Sequence, residues 1–105
     1  MVTPKLIEKG VKILVNEFGA EQVILFGSRA RGNAHPKSDV DLLVIRHLRG
    51  ARMSLESRML SAMGDLGLPS DLVLITPKEY EEQRALPGTI ARAAYKEGKV
   101  LHAAA

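Results

Sequence analysis

The sequence predicts an α+β domain, a small mixed β-sheet packed with helices in the order α-β-(loop)-β-α-β-α-α. Three observations predict it. Short apolar runs at 23–26, 39–45 and 71–75 have the length of buried strands. Longer segments between them carry apolar residues at helical spacing, bounded by capping and breaking residues. The link from Gly27 to Ser38 is too short for a full crossover helix, so the first two strands are expected to pair antiparallel.

Each element has its own justification. Thr3 can cap a first helix over residues 4–18, Pro4 suits its first turn, and Gly19 can end it. Ile7, Val11, Leu14 and Phe18 form one apolar stripe along it. The strand over 23–26 ends at Gly27-Ser28, and residues 28–36 are polar, basic and small. After the strand at 39–45, Gly50 precedes a helix over 51–65, where Leu55, Met59 and Met63 share a core face. Gly67 and Pro69 punctuate before the strand at 71–75. Thr76-Pro77-Lys78-Glu79 then reads as a capping box. Pro87-Gly88 interrupts that helix, a second piece runs 89–97, and residues 99–102 can add an edge strand.

A chain of 105 residues, 46% hydrophobic and 26% charged, is expected to form a single domain over 1–105 with one modest core. No apolar run approaches the length of a membrane span, and no signal-peptide pattern opens the chain, so a cytoplasmic location is expected. Cysteine is absent, which removes disulfides and thiolate metal sites. The net charge of +3 is mild. Arg46, Arg49, Arg52 and Arg58 form either a solvated helix face or a patch for an anionic partner. With Phe18, Phe26, Tyr80 and Tyr95 as the only aromatics, no base-stacking platform for nucleic acid is expected.

The chemistry concentrates in aspartates. The chain has four, and Asp39, Asp41 and Asp71 touch expected strands, which aspartate ordinarily avoids. Asp39 and Asp41 are two apart, so their carboxylates share a face roughly 7 Å apart, and a neighbouring strand would bring Asp71 in at about 5 Å. Leu43 and Ile45 continue that face inward, which puts the carboxylates where core gives way to solvent. Carboxylates so close repel one another unless cations sit among them, and hard divalent ions such as Mg²⁺ or Mn²⁺ match oxygen ligands. The turn Gly27-Ser28-Arg29-Ala30-Arg31-Gly32 is either an ordinary Gly-Ser turn or a phosphate-binding one. It lacks the features of the common phosphate loops. His35 and His47 flank the second strand without a metal-ligand spacing partner and read as surface residues. Tyr80 and Tyr95 read as packing or rim residues.

Taken together, Gly27-Ser28, ten residues, then Asp39-x-Asp41, followed by Asp71 opening the next strand, resemble the nucleotidyltransferases of the DNA polymerase β superfamily. The likeness is to the minimal (MNT) branch, typified by antitoxin partners of HEPN-domain toxins. It extends from 26–32 and 38–44 through 71–73 to the closing 90–101 segment. This resemblance implies the nucleotidyltransferase fold, two Mg²⁺ ions (or Mn²⁺) held by Asp39 and Asp41, and ATP as substrate. It implies that Asp71 helps to bind one ion and draws the proton from the acceptor hydroxyl. Gly27 and Ser28 would hold the triphosphate, with Arg29 or Arg31 assisting. In-line attack on the α-phosphorus would release pyrophosphate. Because the catalytic elements consume the chain, the acceptor is expected on a partner, a HEPN protein modified on a hydroxyl, with tyrosine the expected one. A catalytically idle module that blocks its partner sterically is the reading from another class. A nucleic-acid end or a small molecule is the remaining acceptor class.

Overall fold

The computed structural model describes residues 2–104. The elements are α1 (Pro4–Asn16), β1 (Gln22–Phe26), α2 (Ser28–Arg31), β2 (Val40–Ile45), α3 (Arg52–Leu66), β3 (Ser70–Ile75), α4 (Pro77–Gln83), α5 (Ile90–Glu97) and β4 (Lys99–Ala103). The strands form one mixed sheet in the order β3-β2-β1-β4. β1 pairs antiparallel with β2, as its short link requires, and antiparallel with β4 on its other side. β2 and β3 run parallel, joined by the α3 crossover.

Local chemistry accounts for the element ends. Thr3 Oγ1 accepts the Leu6 N–H at 3.1 Å, starting α1. The helix stops at Asn16, two residues short of the Phe18 expected from its stripe. Gly19 N–H donates to the Val15 carbonyl and Ala20 N–H to that of Leu14, so the last turn closes early and aims the chain into β1. Phe18 still packs against the core from the turn. The capping box of α4 is formed in both directions, Glu79 N–H to Thr76 Oγ1 and Thr76 N–H to Glu79 Oε1. Thr89 caps α5 by accepting the Arg92 N–H.

Helices cover both faces of the central strands, so β1 and β2 are largely apolar. On one face, α1 and α3 bury Val40, Leu42 and Val44 of β2 together with Met59 and Met63. On the other, α4 and α5 cover Ile24, Leu43, Ile45 and Ile75 with Tyr80, Ala91 and Ala94. Gly98 lets the chain turn from α5 into β4 against β1. A Cβ there would lie 2.6 Å from the Ile24 methyl and 3.0 Å from the Leu25 carbonyl oxygen.

The arginine cluster is largely spent inside the chain. Arg46 donates to the Phe18 carbonyl at 2.6 Å, Arg52 pairs with Glu79 at 2.9 Å, and Arg58 lies over the Phe18 ring. His47 is exposed and meets Glu21 at 2.8 Å, and His35 Nδ1 accepts the Lys37 N–H. Tyr80 is buried, whereas Tyr95 is exposed at the rim. No helix among the described residues is long and apolar enough to cross a membrane.

Candidate active site

The face under α4 and α5 is built in rows across β1, β2 and β3. Ile24, Leu43 and Val73 make the middle row; the next row outward is Phe26, Asp41 and Asp71. Successive members of a strand face lie two residues apart, so Asp41 continues the line of Leu43 and Ile45, and Asp71 that of Val73 and Ile75. Asp41 and Asp71 are register partners in the parallel pair, on backbones about 4.8 Å apart. Asp39 precedes β2 and is exposed, as is Asp71, while Asp41 is half-buried.

Burial, then the negative charges of Asp71 and Asp39, raise the Asp41 carboxyl above its ordinary range, against the opposing pull of Arg31 and Arg29. Gly27 explains how Asp41 is accommodated. A Cβ on Gly27 would overlap Asp41 Oδ2 and lie 2.9 Å from its Cγ. Gly27 also has φ +74°, a conformation that L side chains rarely adopt. Two independent requirements, space and backbone conformation, therefore select glycine at this position. Immediately after it, the Ala30 and Arg31 N–H groups both donate to the Gly27 carbonyl and wind Ser28–Arg31 into α2.

The two arginines of the turn have different positions. Arg29 folds back along the loop and donates to the Ser38 carbonyl at 2.7 and 3.1 Å and to that of Pro36 at 3.3 Å. It thus ties down the segment that delivers Asp39, a task that sequence reading did not foresee. Arg31 reaches Glu97 at the end of α5, at 3.4 Å with both side chains about half exposed. Glu97 was invisible as a site residue, because 66 positions separate it from Arg31. Among the described residues, no three His, Asp or Glu side chains close tightly enough around one point to hold an ion by themselves.

A family profile described as a nucleotidyltransferase domain matches residues 7–101. The chain belongs to that family. Solved structures share the nucleotidyltransferase fold. One assigned as a minimal nucleotidyltransferase is 30% identical, with a TM-score of 0.61, over 90% of this chain and 89% of that one. A chain of a toxin–antitoxin complex with AMP-PNP aligns at 24% identity and TM-score 0.55, covering 91% of this chain and 73% of the other. A chain from the complex of tri-AMPylated Shewanella oneidensis HEPN toxin with MNT antitoxin aligns at 19% identity and TM-score 0.56, over 96% and 73%. The chain is thus similar to a minimal nucleotidyltransferase and shares its fold with a chain of a HEPN/MNT pair. No curated protein matches it.

Proposed function

We propose that this single nucleotidyltransferase domain transfers AMP from ATP to a hydroxyl, a tyrosine of a HEPN-domain partner in the cytoplasm, and so acts as an antitoxin. The observation that carries the reading is Asp41, half-buried against Gly27 and flanked by Asp71 and Asp39. The AMP-PNP complex and the AMPylated toxin among the structural relatives support the choice of nucleotide and partner.

The donor set fits divalent ions that arrive with a nucleotide. Mg²⁺ takes one or two carboxylates and completes its shell with water and phosphate oxygens, so an all-protein cage is not needed. Asp39 and Asp41 would hold two such ions, with Asp71 assisting at one, and bound ions would supply positive charge against the triphosphate. The Gly27-Ser28 turn would bind the triphosphate, and Arg31, which already favours the charged form of Asp41, adds positive charge beside it. Arg29 fixes the loop before Asp39. Asp71 accepts the acceptor hydroxyl proton on a carboxylate oxygen as the acceptor oxygen bonds to the α-phosphorus. The bond to pyrophosphate breaks in the same displacement.

Incubating the purified protein with ATP, Mg²⁺ and the HEPN partner tests this, read by the partner's intact mass. The expected result is AMP on the partner with an equal amount of pyrophosphate released, and slow transfer by Asp71→Asn despite retained ATP binding. An unchanged partner whose toxicity is nonetheless suppressed would establish the steric module instead.

A further inference from the structure

Glu97 stands where its own helix disfavours a carboxylate. It is the last residue of α5, at the negative end of the helix dipole, and its side chain is about half exposed. Its place is nonetheless fixed. Gly98, which follows it, leaves no room for a side chain: a Cβ there would collide with the Ala94 carbonyl oxygen as well as with the Ile24 methyl. Lys99 then pairs with Leu25, so the chain just before it runs back alongside the Phe26–Gly27 end of β1. Phe26 is the register partner of Asp41. Glu97 therefore arrives at the same end of the sheet as the carboxylate row, on the β4 side of β1.

The charge of Arg31 acts on both sides. It favours the ionised form of Asp41, yet its guanidinium meets Glu97, at 3.4 Å. Arg29 has no such freedom, because the Ser38 and Pro36 carbonyls hold it. Among the described residues, none of the ion pairs engages Asp39, Asp41 or Asp71. A guanidinium left without a partner beside three carboxylates would settle on them, since each negative charge adds to the attraction. It would then occupy the oxygens that divalent ions need. We infer that Glu97 is a positioning residue for the candidate active site, drawing the Arg31 guanidinium toward α5 and so keeping it off the carboxylates. The inference rests on the reading of those carboxylates as the ion-binding group. The pair is long and half-exposed, so parting it costs little, and Arg31 stays available to the triphosphate. A tight, buried pair would withhold the arginine from the nucleotide.

Calorimetry of AMP-PNP binding to the purified chain, at low and at saturating Mn²⁺, tests the role. Glu97→Gln should weaken binding several-fold at low Mn²⁺, as Arg31 turns onto Asp41, and excess Mn²⁺ should restore it. Arg31→Met should weaken binding at both concentrations, because it loses a phosphate contact. In the Arg31→Met background, Glu97→Gln should change nothing further. The melting temperature of Glu97→Gln should be unchanged or slightly raised, since the substitution removes a charge that the helix dipole opposes. Binding by Glu97→Gln equal to that of the unaltered chain at low Mn²⁺ would overturn the inference. So would a defect that excess Mn²⁺ does not relieve, or one that persists undiminished without Arg31. Asp41→Asn tests the underlying reading separately: AMP-PNP binding that depends on Mn²⁺ as strongly in that variant as in the unaltered chain would remove the ion site itself.

Discussion

The two faces of β2 differ in where their cover stops. Toward α1 and α3, Val40, Leu42 and Val44 are all fully buried along the strand's whole length. Toward α4 and α5, Leu43 and Ile45 are buried just as completely, but the cover ends one row early and Asp41 stands at its margin. Residues one position apart therefore experience opposite physics. The covered face stabilises by removing apolar area from water, whereas the open end places carboxylates side by side at a cost in repulsion. The difference teaches that the chain keeps these carboxylates on the sheet and obtains their exposure from the length of a neighbouring helix layer.

The contrast is broken most directly by single substitutions on adjacent residues. Leu42→Ala should cost about 2–5 kcal/mol in denaturant unfolding, the range for emptying a packed core position. Asp41→Ala should leave stability in EDTA unchanged or raised, since it relieves repulsion, while AMP transfer falls by about 10²–10³-fold. A large loss of stability in the second variant would make Asp41 a structural residue. Gly27→Ala should do both kinds of damage. Its positive φ costs on the order of 1–3 kcal/mol, and its methyl group displaces the Asp41 carboxylate, so melting temperature and activity fall together.

The turn arginines sharpen the same comparison at smaller scale. Arg29→Met removes charge-assisted bonds to two carbonyls and should cost about 1–3 kcal/mol. Arg31→Met breaks only a long, half-exposed ion pair and should change stability by less than about 0.5 kcal/mol, while the KM for ATP rises. Equal losses of stability would remove the distinction between a loop tie and a substrate contact.

The smallest effect is in acid. Asp41 has a raised folded pKa, so the folded chain holds its proton more readily than the unfolded one. As pH falls through mild acid toward the ordinary aspartate value of 3.8, the metal-free protein should gain stability relative to Asp41→Asn. Glu79 has the opposite sign. The Thr76 N–H, opposed by burial and aided by Arg52, depresses its carboxyl, so its contribution is present above 4.5 and lost as pH falls through the folded value. Chemical melts of wild type, Asp41→Asn and Glu79→Gln across this window would separate the two trends.

Much of this was legible beforehand. The strands at 23–26, 39–45 and 71–75, the antiparallel first pair and the Thr76 capping box all rest on interactions within a few residues or on the reach of a short link. So does the shared face of Asp41, Leu43 and Ile45, because a strand's period admits no other arrangement. The end of α1 was misplaced by two residues, because an apolar stripe does not say which of its members packs from a turn. Arg29 and Arg31 looked equivalent in sequence. Their partners, the 36 and 38 carbonyls for one and Glu97 for the other, depend on how the loop and α5 fold back.

By itself, then, the sequence determined the elements, their capped ends, the α+β class and the alternation that aligns its acidic residues. These follow from steric periods and from hydrogen bonds a few positions apart. Tertiary structure alone decided that β3 lies beside β2 in the register that pairs Asp41 with Asp71, and that Gly27 touches Asp41. It also decided that β4 closes onto β1 and leaves an open edge. Those outcomes depend on packing both sheet faces at once, and a packing partner distant in the chain leaves no periodic trace in it.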